Sequence, residues 1–440
     1  MTPSDSKPHG VGGSDADTRT GTGDDRIRQQ YESLPYPERR PADEDKRLVT
    51  GSPSHLHEVD HHLFGGQLAR RRETFRVLVA GGGTGDALIM LAQQCADAGI
   101  DARFTYVDPS SAAGEVARKR AARRGLDDRI SFLQGGLPDL PLPDDAQFDY
   151  IDCCGVLHHL SDPTACLGAL RDRLAPGGGM GIMVYGTYGR TGVYTLQSAL
   201  DRMGIRDLTP ADAVKAARRV LNALPPSNWL KLNPFVGDHK ISDAGLYDLL
   251  LHSRDRSYTV PAFLDLISGA GLEPVTMMLP AAYDPAALLP DAGLKQRWQD
   301  LPLREQAALA EEIAGGLKVH IAYLARAGET QGRQARPTGD MVPVLKDNDG
   351  KEIAKATRPG TPLGITIAGL RLSVSIPALG PAILSRIDGM RTIDALFDDI
   401  AASRGGRLDR DTFDRDMAAV VDGFAGIGRL HLRAAGTDAG

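Results

Sequence analysis

Three glycines spaced by two, Gly81, Gly83 and Gly85, follow a short apolar run in the segment FRVLVAGGGTG. The run has the length and β-branched character of a strand, and the residues after Asp86 carry apolar side chains at helical spacing. The segment is therefore predicted to form a strand, a glycine turn and a helix. Such a turn lets a cofactor approach bare backbone and directs free N–H groups at it. A glycine turn alone is also compatible with a tight connection that binds nothing.

Asp108 follows at the end of the second predicted strand. A carboxylate at that point can accept hydrogen bonds from both hydroxyls of a ribose whose nucleoside end lies over the glycine turn. The pair of glycine turn and acid leaves NAD and S-adenosylmethionine as candidate cofactors.

Alternating strands and helices are predicted to position these residues. Strands are expected at residues 77–80, 104–107, 130–133, 148–154, 180–185, 274–279 and 319–324. Helices predicted between the first five imply a parallel sheet with crossover connections. Ligands of such sheets bind beyond the carboxyl ends of the strands, where the strand order reverses.

Two further segments are more specific than the glycines. The fourth strand ends in GVLHHL, and LAPGG precedes the fifth. Together with the glycine turn and Asp108, they make the chain resemble the class I S-adenosylmethionine-dependent methyltransferases, closely over residues 70–185 and loosely over 257–326. The resemblance implies an α/β fold with a Rossmann-like, mostly parallel seven-stranded sheet. It also implies S-adenosyl-L-methionine as the cofactor.

The resemblance assigns a role to each candidate site residue. Gly81, Gly83 and Gly85 are expected to line the methionine moiety, and Asp108 to bind the ribose. The remaining cofactor contacts implied are Gly136 within the adenine-bordering segment 134–137, the backbone of Cys154 and Gly155 at the sulfonium, and Tyr31 closing over the cofactor.

Two departures from the family pattern stand out. The family usually has an acid at the position of Val79, where it helps to hold the cofactor's amino group, and often an aspartate at the position of Gly136. Asp86 and Asp152 are the acids that could compensate. A non-catalytic regulator or scaffold that binds S-adenosylmethionine is the alternative function.

The implied reaction is an in-line attack on the sulfonium methyl by a protein side chain or a small-molecule acceptor. The enzyme's main contribution is then positioning and desolvation. An amine acceptor must arrive deprotonated, and a hydroxyl acceptor would benefit from a general base. His158 and His159 are the nearest candidate bases, and His158 is the predicted catalytic residue. A structural role for His158 is the competing interpretation, because GVLHHL-type segments occur with very different substrates. His239 in the lid, and Tyr185, Tyr188 and Tyr194 after the fifth strand, are further candidates for substrate contact.

The composition and the residue patterns argue against several classes of binding partner. Aromatic residues are 5% of the 440 residues and the net charge is −6, which argues against nucleic-acid binding. Apolar runs fall short of a membrane span, and the N-terminus lacks an apolar signal core, so a cytoplasmic protein without membrane contact is expected. The four cysteines show no metal-ligand spacing, and His57 and His61 are interpreted as a polar helix face rather than a metal site. No metal is expected.

The predicted organisation has five parts. They are a disordered tail (1–25), an N-terminal helical cap (26–66), a methyltransferase domain (67–327) with a lid insertion (187–256) and a second insertion (280–316), a linker (328–340), and a winged-helix-like module (341–433). The module resembles those attached to some bacterial methyltransferases and a peptide-carrying chaperone. Aspartates on its last helix disfavour DNA binding, which leaves peptide or protein presentation, a structural role, or homodimer formation.

Overall fold

The computed structural model describes residue 28 and residues 30–137, 139–367 and 369–436. The predicted disordered tail, residues 1–25, lies outside these ranges. Seven strands form the main sheet: β1 Phe75–Ala80, β2 Ala102–Asp108, β3 Ile130–Gln134, β4 Phe148–Cys154, β5 Leu174–Tyr185, β6 Leu272–Met277 and β7 Val319–Arg326.

The order of the strands in this sheet is β3-β2-β1-β4-β5-β7-β6. Strands β1 to β5 pair in parallel, and β7 is antiparallel to both β5 and β6. The predicted seven-stranded Rossmann-like α/β fold is confirmed. The order reverses between β1 and β4, which places the switch point of the sheet beside the glycine turn.

Helices cover both faces of the sheet. In chain order the described α-helices are α1 Leu56–Leu63, α2 Asp86–Asp97, α3 Ser111–Arg123, α4 Pro163–Asp172, α5 Val193–Arg202, α6 Pro210–Ala223, α7 Trp229–Leu232, α8 Asp238–Ile241, α9 Asp243–Leu250, α10 Val260–Gly269, α11 Pro285–Leu288, α12 Ala292–Lys295, α13 Leu303–Ala314, α14 Gly350–Ala356, α15 Gly380–Leu384, α16 Ile393–Ser403 and α17 Arg410–Gly426. Successive β1 residues alternate between the two faces: Val77 and Val79 pack in one apolar layer, and Leu78 and Ala80 in the other. No helix in the described ranges combines the length and apolar character needed to cross a bilayer.

The lid insertion contains helices α5 to α9 around an apolar core of its own. Thr209 and Ser242 accept hydrogen bonds from backbone N–H groups at the starts of α6 and α9, as their N-cap positions predict. Trp229 of the lid has 62% of its surface exposed. Phe235 packs beside Gly316 and Gly369, so the lid touches both the second insertion and the C-terminal module.

The C-terminal module contains two small antiparallel sheets. Strand β8 (Met341–Leu345) pairs with β11 (Leu430–Ala434), and β9 (Leu363–Ile367) pairs with β10 (Leu370–Val374). Its apolar core is continuous with Ala282 and Tyr283 of the second insertion, so the module packs firmly against the main domain. A winged-helix relationship for this module stays a prediction.

The interpretation of His57 and His61 as a polar helix face is wrong for His61, whereas His57 is half-buried. His61 and His62 are only 4% and 3% exposed, because α1 lies between the main sheet and β11. The Nδ1 atom of His61 accepts a hydrogen bond from the backbone N–H of Leu432, at 3.0 Å. The sequence signal was ambiguous, because the strand that covers α1 comes more than 350 residues later.

Candidate active site

A cavity of about 770 Å³ opens at the carboxyl ends of β1, β2 and β4, beneath the lid. Its size falls in the range of small-molecule sites, roughly 300–1,000 Å³. The candidate cofactor residues that line it are Tyr31, Gly81, Gly83, Asp108, Gly136, Cys154 and Gly155. The structure therefore brings seven of the sequence-predicted residues to one cavity, whereas Gly85 and His158 are not part of its described lining.

The glycine turn needs glycine for two separate reasons. Gly81 and Gly83 have φ angles of +74° and +51°, which side chains rarely allow. A Cβ on Gly83 would lie 2.7 Å from the carbonyl oxygen of Tyr36, so the N-terminal segment passes directly over the turn. Gly85 faces α3 instead, since a Cβ there would lie 2.9 Å from that of Ala117. Gly85 thus allows α2 and α3 to pack closely and does not line the cavity.

Asp108 is the last residue of β2, and both of its carboxylate oxygens accept hydrogen bonds from the backbone. Oδ2 accepts the backbone N–H of Gly83 at 2.8 Å, and Oδ1 accepts that of Ser110 at 2.9 Å. The side chain lies in the cavity wall and is 7% exposed, and burial raises its pKa to about 6. Each carboxylate oxygen can accept a second hydrogen bond, so two hydroxyl donors can be added without breaking the existing contacts.

The acid missing at Val79 has a counterpart on the neighbouring strand. Val79 of β1 is in register with Asp152 of β4, and parallel neighbours in register direct their side chains to the same face of the sheet. Asp152 lines the cavity, accepts a hydrogen bond from the Ser54 hydroxyl, and has its pKa raised to about 6 by burial. Asp86 is not available in the same way, because its two oxygens bind Arg39 and Arg120.

Arg120 of α3 supports the glycine turn from behind. Its guanidinium donates to Glu44 at 2.7 Å, to Asp86 at 2.7 Å and to the carbonyl oxygen of Thr84 at 2.8 Å. The side chain is 1% exposed. This buried network ties the turn to the segment before α1, which also provides Arg39.

The variant Arg120→Met is expected to lower the free energy of unfolding by about 3–5 kcal/mol, because it leaves the Glu44 carboxylate with reduced compensation in the interior. Chemical denaturation would measure this loss. Arg118→Met on the same helix is the matched control. Its exposed pair with Glu115 should contribute less than about 1 kcal/mol. Equal losses in both variants would contradict a special role for the buried network.

His158 is not among the residues that line the cavity. It is fully buried, its ring lies 3.8 Å from that of Tyr185 between centroids, and neither ring nitrogen has a hydrogen-bond partner. Burial lowers the pKa of His158 well below its usual value. The next residue, His159, does line the cavity. The structure thus favours a packing role for His158 and brings the second histidine of the pair to the site.

Several cavity residues were missed or left open by the sequence. Tyr36, Arg190 and Asp248 line the cavity, as does Tyr185, whereas Tyr188, Tyr194 and His239 are outside its described lining. The guanidinium of Arg190 lies 3.7 Å above the ring of Tyr185 and pairs with Asp255. The sequence could have indicated Asp248 as a candidate site residue, because it is an acidic residue among the buried leucines of α9.

Within the described residues, one group of side chains has the composition of a metal site. The ligand atoms of His159, Asp248 and His252 lie within 4.8 Å of one another. The Nδ1 atom of His252 accepts the backbone N–H of Arg254, so the neutral ring carries its proton on Nε2. The Nε2 atom therefore lacks the lone pair that a metal requires. This donor set does not fit a metal ion.

Comparison with known sequences matches part of the chain around this cavity to a known family. Residues 78–180 match the family model described as a methyltransferase domain. An uncharacterised protein of Synechococcus sp. is 35% identical over 202 residues, which are 45% of this chain and 47% of that protein. The ubiquinone/menaquinone biosynthesis C-methyltransferase UbiE of Shewanella frigidimarina is 26% identical over 170 residues, 38% of this chain and 66% of UbiE. The chain covers less than two thirds of the length of either relative.

Two solved structures of PKMT2 from Rickettsia typhi share the fold over most of the chain. The first has a TM-score of 0.60 and 14% identity, and covers 87% of this chain and 77% of PKMT2. The second, in complex with AdoHcy, has a TM-score of 0.55 and 16% identity over 87% of this chain and 75% of PKMT2. The predicted resemblance to class I methyltransferases is confirmed, since residues 78–180 match the methyltransferase family and lie in a seven-stranded sheet of the expected kind.

Proposed function

We propose that this protein is an S-adenosyl-L-methionine-dependent methyltransferase whose cofactor occupies the cavity beneath the lid. The observation that carries the proposal is that Asp108 and the Gly81–Gly83 turn meet at the switch point of a methyltransferase-type sheet. Asp108 accepts the ribose hydroxyls, and the segment around Gly136 borders the adenine. The backbone of Cys154 and Gly155 lies along the methionine side, and Tyr31 covers the cofactor.

The bound cofactor supplies an activated methyl group, so the protein needs mainly to orient the acceptor and exclude water. The lid fits this role, because it contributes Asp248, Val236 and Asp238 to the cavity wall. The acceptor is a protein side chain or a small molecule, and the candidate base moves from His158 to His159, the histidine that reaches the cavity.

Asp152 serves the function that an acid at the position of Val79 usually has in the family. Its carboxylate is buried and held by the neutral donors Ser54 and the backbone of Cys154. A buried carboxylate without a cation is costly, and the α-ammonium group of S-adenosylmethionine would compensate it.

We expect Asp152→Asn to weaken binding of S-adenosylhomocysteine by about 10- to 100-fold, the contribution of a hydrogen bond to a charged group. Binding of the analogue that lacks the α-amino group should stay unchanged, because it has no ammonium to lose. Titration calorimetry with both ligands would measure this. The double variant Val79→Asp, Asp152→Asn returns the acid to β1 and should recover part of the affinity. An equal loss for both ligands would show that Asp152 acts on the fold and not on the ammonium.

Incubation of the full chain with methyl-labelled cofactor and a cell lysate tests the activity. Label on macromolecules indicates a protein acceptor, and label in small molecules indicates a metabolite. Binding of S-adenosylhomocysteine without any transfer would favour the non-catalytic regulator. A chain that binds neither cofactor nor product would contradict the proposed function.

A further inference from the structure

Asp248 is a buried acid on the lid that faces the cavity. It is 3% exposed, and its two oxygens accept hydrogen bonds from the hydroxyls of Tyr31 and Tyr185, each at 3.0 Å. Among the ion pairs of the described residues, none joins Asp248 to an arginine or lysine; Arg190, the nearby guanidinium in the cavity wall, pairs with Asp255 at 2.9 Å. The site therefore contains a carboxylate that only neutral donors hold.

Burial raises the pKa of Asp248, and a cation bound beside the carboxylate would favour its charged form. A carboxylate out of water is strongly disfavoured unless a cation compensates it. Tyrosine hydroxyls donate hydrogen bonds but add no positive charge, and burial raises the pKa of both Tyr31 and Tyr185, which keeps them neutral. Each oxygen of Asp248 can accept another hydrogen bond, so the carboxylate can bind one more donor group.

The side chains around Asp248 suit an alkyl-ammonium group. Tyr31, Tyr36 and Asp248 line the same cavity, and aromatic faces attract alkyl-ammonium groups. Tyr185 contributes its hydroxyl only, because His158 and Arg190 already pack against its ring. A hydroxyl or carbon acceptor would leave the charge of Asp248 uncompensated, whereas an ammonium group would neutralise it.

An ammonium must lose a proton before its nitrogen can attack, and His159 is placed to accept it. The Nδ1 atom of His159 lies 2.8 Å from the carbonyl oxygen of Arg254. Nδ1 therefore carries a proton, which leaves the lone pair of the neutral ring on Nε2. One ring nitrogen of His159 lies within 4.8 Å of a carboxylate oxygen of Asp248, and both residues line the cavity, so both border the space that an acceptor would occupy.

We propose that the methyl acceptor is a primary or secondary alkyl amine, which binds as its ammonium form to Asp248 and transfers a proton to His159. The neutral nitrogen then attacks the methyl carbon of the cofactor. The new N–CH₃ bond forms as the S–CH₃ bond breaks, and the sulfur keeps the bonding electron pair as S-adenosylhomocysteine departs. This inference rests on the proposed function and adds the class of acceptor to it.

Binding of two simple probes tests the inference on the full chain saturated with S-adenosylhomocysteine. We expect n-butylammonium to bind about 10- to 100-fold more tightly than its neutral isostere n-butanol, as a hydrogen bond to a charged group predicts. Asp248→Asn should abolish this difference. Asp139→Asn is the matched control, since Asp139 also lines the cavity but is exposed, and it should preserve the preference.

The outcomes separate the two proposals. If the wild-type chain binds S-adenosylhomocysteine but shows no preference for butylammonium, the amine site is refuted and the cofactor site stands. If it does not bind S-adenosylhomocysteine, the proposed function itself fails. The comparison of the two probes on the wild-type chain decides the question even if Asp248→Asn does not fold.

The position of the transferred label gives an independent result. In products made with methyl-labelled cofactor, label on nitrogen survives both acid and base hydrolysis and supports the inference. Label recovered as base-labile ester, as ether or on carbon would overturn it.

Discussion

Replacement of Asp108 by alanine is expected to lower the affinity for S-adenosylhomocysteine by at least about 100-fold. The carboxylate would lose hydrogen bonds from two ribose hydroxyls, and bonds to a charged group contribute about 1.5–3 kcal/mol each. The same carboxylate holds the N–H groups of Gly83 and Ser110, so its removal also loosens the glycine turn. Titration calorimetry with the purified full chain would measure the loss.

The matched control for Asp108→Ala is Ser110→Ala. The Ser110 hydroxyl accepts the N–H of Ala113, which caps α3, and donates to the carbonyl oxygen of Tyr31, so its loss should cost about 1–2 kcal/mol of stability. The Asp108 carboxylate remains in this variant, so the affinity should fall by less than about tenfold, well short of the loss in Asp108→Ala. If Asp108→Ala bound S-adenosylhomocysteine as tightly as the wild type does, the assignment of the cofactor to this cavity would be wrong.

Gly83→Ala should abolish measurable cofactor binding. The new Cβ would lie 2.7 Å from the Tyr36 carbonyl oxygen, a backbone atom that moves only if the whole N-terminal segment moves. That segment carries Tyr31 and Tyr36 of the cavity wall, so its displacement would open the site. The φ angle of +51° adds a strain of about 1–2 kcal/mol for alanine. Fluorescence or calorimetric titration would detect the loss.

Gly99→Ala separates strain from contact. Gly99 has a φ angle of +67°, but a Cβ there meets nothing within 4 Å. This variant should therefore lose about 1–2 kcal/mol of stability and keep its cofactor affinity. If Gly83→Ala behaved like Gly99→Ala, the close approach of the N-terminal segment to the turn would not matter for binding.

The C-terminal module reaches the neighbourhood of the cofactor cavity through polar contacts. Lys346 forms a buried ion pair with Glu58, and Glu58 accepts a hydrogen bond from Tyr323. The Tyr323 hydroxyl accepts the N–H of Ser54, whose own hydroxyl donates to Asp152. Four segments far apart in sequence thus build the environment of one cavity acid.

The sequence by itself determined the sheet and the meeting of the glycine turn with Asp108. All seven strands of the main sheet were predictable, because β-branched apolar runs alternate with helical periodicity and turn residues. The glycine turn and Asp108 were predictable for the same reason. Both lie at the ends of adjacent parallel strands, where β1 pairs with β2 in simple register, so local pattern alone brings them together.

The other residues of the cavity are brought together only by the tertiary structure. GVLHHL offered two histidines, and the packing of Tyr185 against His158 selected His159 as the one that reaches the cavity. Asp248 comes from a helix far from the sheet, and Asp152 gained its meaning only from its register with Val79. These are contacts between distant segments, and no periodicity within a single segment encodes them. The sequence therefore predicts the cofactor, whereas the register of β4 places the acid proposed for the cofactor's ammonium group, and the lid places the acid proposed for the acceptor.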